Sequence, residues 1–221
     1  MMSVSKLRHP RSSFSKRLFT SITSIENRVE TTINEKGVAH VVLNRPDKLN
    51  GMDLPMFEAV AETASKLRQD RNIRAVILSG KGRAFCTGLD VKSVAKNPSS
   101  TMKRLLERPS GYGAKGNEIG NLAQDVSYLW RELPVPVIAV LHGMCYGAGF
   151  QIALGADMRY ATPDCKVSIM EGKWGLIPDM GASIFLRELT RIDIAKVKRL
   201  HYSTHIFVDN FQISLYFPST L

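Results

Sequence analysis

Pro134-Val135-Pro136-Val137-Ile138-Ala139-Val140-Leu141 reads as a strand, and it runs straight into Gly143-Met144-Cys145-Tyr146-Gly147-Ala148-Gly149, a glycine-rich turn from which a helix sets out through Phe150, Gln151, Ile152, Ala153 and Leu154. The same alternation is found upstream. Val38-Ala39-His40-Val41-Val42-Leu43 is a short apolar run stopped by the turn signal Asn44-Arg45-Pro46-Asp47. Asp53 is placed to cap a helix with Pro55 in its first turn, and Phe57, Val60, Ala61, Ala64 and Leu67 share one face at helical spacing. Ala75-Val76-Ile77-Leu78 is a second buried strand, ended by Ser79-Gly80-Lys81-Gly82. Ile119, Leu122, Val126, Leu129, Trp130 and Leu133 mark a second amphipathic helix. The polar stretch before it, with Pro98, Pro109, Gly111, Gly113 and Gly116, reads as a loop or lid rather than core. Short apolar strands separated by helices pair in parallel through crossovers, so the chain is predicted to be α/β. Ligand sites in such sheets gather where strands end and helices begin. No internal repeat stands out at a fixed period.

With 221 residues and 44% hydrophobic content, the chain can bury one substantial core. No apolar run approaches the eighteen or so residues that cross a bilayer, so a soluble protein without a membrane span is expected. Cys86, Cys145 and Cys165 form no CxxC pair and leave an odd thiol, which favours a reducing compartment. Among His9, His40, His142, His201 and His205 only the last two approach a ligand spacing, and no metal is expected. Five of the ten net positive charges come from Lys6, Arg8, Arg11, Lys16 and Arg17, and no acid precedes Glu26. That stretch is also rich in serine (Ser3, Ser5, Ser12, Ser13, Ser15, Ser21, Ser24), the pattern of an organellar presequence rather than of a secretory signal. The remaining charge is modest for a nucleic-acid binder, and the interleaved aromatics that one needs are missing. It suits an acidic ligand.

Two turns and one carboxylate carry the chemistry. Small residues at 147 to 149 let a ligand approach the backbone, and the following helix presents free N–H groups at its start. The earlier turn Arg83-Ala84-Phe85-Cys86-Thr87-Gly88-Leu89-Asp90 offers the N–H of Leu89 as a second donor. Two donors are the minimum for an oxyanion hole. Glu171, in Glu171-Gly172-Lys173-Trp174-Gly175-Leu176-Ile177-Pro178-Asp179, follows the glycine turn and can move a proton while the oxyanion is held. Flanked by Met170 and Trp174, it is expected to lie in an apolar pocket that raises its pKa. Gly80-Lys81-Gly82 lacks the second half of a phosphate-binding loop.

Asn44-Arg45-Pro46-Asp47-Lys48-Leu49-Asn50, Arg83 through Asp90, and Gly143 through Asp157 match, in order and spacing, three hallmarks of the crotonase superfamily, the enoyl-CoA hydratase/isomerase family. The resemblance covers roughly residues 28 to 195. It implies an α/β fold of the ClpP/crotonase type, a spiral of repeated ββα turns, with residues 26–195 as the core domain. It further implies that the N–H groups of Leu89 and Ala148 form the oxyanion hole for a thioester carbonyl. Lys48, Leu49, Ala84, Asp90, Val91 and Lys92 would form the coenzyme A-binding wall, with coenzyme A entering as part of the substrate and no separate cofactor. Hydratases of the family place catalytic glutamates where this chain has Gln151 and Glu171; an amide cannot exchange a proton as a carboxylate does. Asp179 stands where dienoyl-CoA isomerases of the family also carry an aspartate. Glu171, Asp179 and Gln151 are therefore the catalytic candidates.

A bond-shifting isomerase removes a proton at one carbon and returns it at another, which one carboxylate or an opposed pair can do. Hydration needs two groups gripping a water. Isomerisation of an enoyl- or dienoyl-CoA in fatty-acid beta-oxidation is the favoured reading, with enoyl-CoA hydratase (a lyase) as the alternative. Residues 1–25 are expected to be a mitochondrial presequence directing the protein to the matrix. The family forms trimers and hexamers, so a homo-oligomer is expected. Beyond about Ala195 the resemblance stops: residues 196–221, with the aromatic, β-prone run His201 to Phe217, form a divergent tail where the family has further helices. That leaves a truncated, non-catalytic form binding CoA esters or a partner as a further alternative.

Overall fold

A computed structural model of the chain describes residues 20–23, 25–114, 120–193, 195–196 and 215–216. Most of the stretch read as a presequence (residues 1–19 and 24) and most of the divergent tail lie outside these residues, as does Ile119; Thr20–Thr23, inside the stretch read as a presequence, form a strand. Seven strands make the main sheet: β1 (Thr20–Thr23), β2 (Val29–Ile33), β3 (Val38–Leu43), β4 (Ala75–Gly80), β5 (Val137–Leu141), β7 (Met158–Ala161) and β9 (Leu215–Tyr216), in that spatial order. The shorter β6 (Met144–Tyr146) and β8 (Lys166–Ser168) pair with each other in a second sheet. From β3 through β4, β5 and β7 to β9 every pairing is parallel, as the alternation of strands and helices predicts, while β1 and β2 add an antiparallel edge.

The spiral repeat is visible in the backbone bonds although no sequence repeat announces it. Each turn leaves a main-sheet strand, makes a short extended contact in the second layer, and then enters a helix. Met52, Leu89, Cys86, β6 and β8 make those second-layer contacts: Met52 bridges Leu89, Cys86 bridges Cys145, and β6 pairs with β8. The helices that follow are α1 (Leu54–Gln69), α2 (Val91–Val94) and α5 (Ala148–Leu154); α3 (Pro98–Leu106), α4 (Leu122–Arg131) and α6 (Ala182–Leu189) complete the set described. This is what brings the Leu89 turn beside the Gly147 turn.

Local sequence explains most boundaries. The Asp53 side chain accepts from Met56 N at 3.0 Å, and the apolar face read from the sequence is the buried face of α1. Asn121 and Gln124 form a capping box at the start of α4. Trp130, Phe57, Phe85, Phe150 and Phe185 are the largest fully buried side chains, each worth about 2–3 kcal/mol in surface removed from water. The strand expected from Pro134 begins only at Val137, because Pro134 and Pro136 have no N–H to give a ladder. The stretch read as a loop or lid is partly helical: Pro98 starts α3, whose Thr101 and Leu105 face inward while Arg104 Nε donates to Glu58 Oε1 on α1 at 3.0 Å. Only those two positions are buried, too few to give α3 a readable apolar stripe.

Candidate functional site

The start of α5 is the centre of the site. Gly147 adopts φ 51 and ψ −120, a conformation closed to residues with a Cβ, and its N–H donates to Ser168 O at 3.0 Å. The chain therefore turns sharply out of β6, and the Ala148 N–H leaves the turn with no acceptor among the described residues.

Leu89 brings the second donor. Gly88 O accepts from Met52 N at 2.8 Å and Asp90 N donates to Met52 O at 3.0 Å, so the intervening Leu89 N–H points away from Met52. It too has no acceptor among the described residues. Gly88, at φ 89, packs so closely that a Cβ on it would stand 3.5 Å from Ala148 N. The structure thus brings the Leu89 and Ala148 turns together.

Glu171, in the 3-10 turn Met170–Trp174, places its carboxylate over Gly147: a Cβ there would meet Glu171 Oε1 at 3.4 Å. Burial pushes the Glu171 carboxyl above its ordinary pKa; its own backbone N–H and a hydrogen bond from Gln151 work against that shift, and the charge of Asp179 adds to it. Gln151 Nε2 donates to Glu171 Oε1 at 2.7 Å, while Gln151 Oε1 accepts from Met180 N at 3.0 Å and from Ala182 N at 3.1 Å. Glu171 Oε2 is buried and has no hydrogen-bond partner among the described residues. The carboxylate, two backbone donors and an amide thus converge on one corner.

Asp179 sits at the surface in the turn before α6, near enough for its charge to act on Glu171. Trp174 does not wall the carboxylate as expected; it is 63% exposed, and its ring carries Lys173 Nζ at 6.0 Å from the centroid. The 3-10 turn directs Trp174 outward, and Glu171 is buried instead against the start of α5.

The proposed binding wall divides into exposed and internal members. Lys48, Val91 and Lys92 are exposed, and the positive charge of Lys48 acts on Asp90. Leu49 is half-buried in a left-handed conformation at φ 51, with its carbonyl accepting from Thr87 N at 3.2 Å. Ala84 is fully buried and presents no side-chain surface. Asp90 faces inward to the protein: it caps α2 through Ser93 N at 3.1 Å and pairs with Arg45 Nη1 at 2.8 Å. Burial pushes the Asp90 carboxyl up, but the Arg45 and Ser93 bonds outweigh that and hold it below its usual range.

Two residues of the first motif do structural work that composition does not reveal. Arg45 reaches Gly51 O at 3.0 Å, Asp53 Oδ2 at 3.3 Å and Asp90, tying the cap of α1 to the residue after Leu89. Asn50 Nδ2 donates to Lys81 O, Ala84 O and Phe85 O, holding the approach to the Leu89 turn. Cys86 packs against Gly149, where a Cβ would come 2.6 Å from its own, and burial pushes its thiol up to about 12. Among the described residues no group of three His, Cys, Asp or Glu side chains could hold a metal ion, and no helix is long and apolar enough to cross a membrane.

A model of the family described as enoyl-CoA hydratase/isomerase matches residues 38–195. The chain is similar to the mitochondrial Delta(3,5)-Delta(2,4)-dienoyl-CoA isomerase of Mus musculus, with 33% identity over 158 residues, 69% of this chain and 46% of that protein. It is similar to the 1,2-epoxyphenylacetyl-CoA isomerase of Escherichia coli strain K12, with 33% identity over 69% of this chain and 54% of that one. The solved enoyl-CoA hydratase of Mycobacterium smegmatis superposes with a TM-score of 0.65 at 25% identity, covering 80% of this chain and 63% of that one. The chain spans about half the length of the curated relatives it matches.

Proposed function

The chain belongs to the enoyl-CoA hydratase/isomerase family, and from that premise we propose that it shifts a carbon–carbon double bond in an enoyl- or dienoyl-CoA. The thioester oxygen accepts from the Leu89 and Ala148 N–H groups, which stabilise the negative charge as an enolate forms. Glu171 takes a proton from C2 and returns it at C4 of a 3-enoyl-CoA, giving the 2-enoyl isomer with no net gain or loss of atoms. In a 3,5-dienoyl-CoA the proton is returned at C6, and Asp179 is the second carboxylate that serves that more distant carbon. Coenzyme A enters as part of the substrate and no separate cofactor takes part. Lys48, Leu49, Ala84, Asp90, Val91 and Lys92 are assigned to the wall that coenzyme A passes.

One observation carries this reading: the buried Glu171 carboxylate stands over Gly147, one residue from an oxyanion donor. A mitochondrial dienoyl-CoA isomerase among the relatives supports the double-bond shift and a place in the matrix and in fatty-acid breakdown. A homo-oligomer is proposed with it.

Turnover of 3-enoyl-CoA, 3,5-dienoyl-CoA and 2-enoyl-CoA by the full chain, beside Glu171→Gln, tests the proposal. Isomer products that vanish in the variant are expected. Hydration of 2-enoyl-CoA as the main reaction would replace it with the hydratase reading, and no turnover of any of the three would leave a protein that binds CoA esters without reaction.

A further inference from the structure

We infer that Gln151 is a positioning residue that holds Glu171 through Oε1, so that the proton moved in the reaction travels on Oε2. The inference rests on the double-bond shift proposed above and adds which atom does the work. Gln151 is 1% exposed, and its orientation is not free. Its oxygen accepts from both Met180 N and Ala182 N; a reversed amide would set its NH2 against two N–H donors. Nε2 is thereby aimed at Glu171 Oε1, at 2.7 Å.

An amide nitrogen only donates. While that bond lasts, Glu171 Oε1 is favoured as the unprotonated, carbonyl-type acceptor, and protonation favours Oε2, the buried oxygen with no partner among the described residues. The same geometry bears on which reaction is favoured. Both lone pairs of the Gln151 oxygen are taken by the start of α6, so it has none to accept a hydrogen bond from a water held between the two side chains. Hydration needs a second group that accepts; a proton shuttle on one carboxylate does not.

The bond also favours the ionised carboxylate against the burial that disfavours it. The backbone N–H of Glu171 itself works in the same direction, and few side chains add to the two. α5 carries no titratable side chain, Asp179 acts from the turn before α6, and on the glutamate's own turn Lys173 is drawn over the Trp174 ring.

The test is the titration of Glu171 in the full chain, labelled with 13C at glutamate carboxyl carbons and assigned by the signal lost in Glu171→Gln. Gln151→Met removes all three bonds. Gln151→Glu keeps an acceptor for the α6 N–H groups, so it retains the cap should the methionine variant fail to fold, but it sets a second carboxylate against Oε1. The Glu171 signal is expected to titrate at higher pH in Gln151→Met, and the upper step of the coupled pair in Gln151→Glu is expected above the native value. Turnover in Gln151→Met should fall about 10²-fold in kcat with KM little changed. Titration at the native pH in both variants would overturn the inference, even if activity is lost, because a merely structural role moves stability and not the carboxyl. A shifted titration in a protein that isomerises nothing would uphold the held carboxylate and sink the isomerase reading instead.

Discussion

The carboxylate of Glu171 closes over the Cα of Gly147, leaving 3.4 Å between Oε1 and any methyl group placed there. Gly147 at φ 51 and ψ −120 also leaves no relaxed backbone for a side chain. Gly147→Ala is therefore expected to lose about 1–3 kcal/mol in urea unfolding. It should also depress kcat at temperatures where it is still folded, because relief of the backbone strain shifts the Ala148 N–H that follows. Full activity in a destabilised variant would show that the Ala148 N–H does not act from this turn.

The raised pKa of Glu171 has a sign that unfolding can read. A carboxyl whose folded value lies above its unfolded value of 4.5 is stabilised by folding when protonated and costs stability when ionised. The cost is absent below the unfolded value, grows as pH rises through the folded one, and is fully present above it. Glu171→Gln removes it. Melting temperatures should therefore match the native protein at low pH and exceed it at neutral pH, while activity is lost. A variant less stable at neutral pH would contradict the assignment of burial as the dominant cause.

Asp179 raises the Glu171 pKa through its charge. In Asp179→Asn the acid limb of kcat/KM for 3-enoyl-CoA should move to lower pH, with the plateau largely kept. Turnover of 3,5-dienoyl-CoA should fall at least about tenfold more than that of 3-enoyl-CoA, if the second carboxylate serves the distant carbon. Equal losses on both substrates would remove Asp179 from the mechanism.

Arg45 fastens the turn that presents the Leu89 N–H, through Asp90 at 2.8 Å with both side chains mostly buried. Arg45→Met is expected to cost about 2 kcal/mol, since it leaves the Asp90 carboxylate without its cation. Because Arg45 and Ser93 hold the Asp90 carboxyl below its ordinary range, that advantage exists above the unfolded value of 3.8 and is lost as pH falls through the folded one. The variant and native proteins should therefore converge in stability in strong acid. A kcat decrease measured alongside would support the proposed role of the Leu89 N–H as an oxyanion donor.

The sequence was most legible where structure is local. The Asp53 cap, the buried face of α1 and the strands β3 and β4 depend on neighbours within a turn or a pleat. The Leu89 and Ala148 turns were identifiable because glycines are needed wherever backbones approach so closely. The role of Gln151 was not, since its acceptor contacts lie 29 and 31 positions away and no periodicity links them. Trp174 misled for a related reason: adjacency to Glu171 in the chain says nothing of the direction a 3-10 turn gives each side chain. Arg45 and Asn50 stand in one local motif, yet their partners in three separate loops appear only once the spiral has formed.

A carbonyl polarised for enolate formation is also more open to attack by any thiolate within reach, and a thioester exchanges its acyl group with thiolates readily. Cys86 stands three residues before Leu89, packed against Gly149, with its thiol pushed up to about 12 by complete burial. At neutral pH it is overwhelmingly the neutral thiol, which is a poor nucleophile. Under the reaction proposed above, the second layer of the fold would thereby let a cysteine stand behind the Leu89 and Ala148 turns without the protein acylating itself.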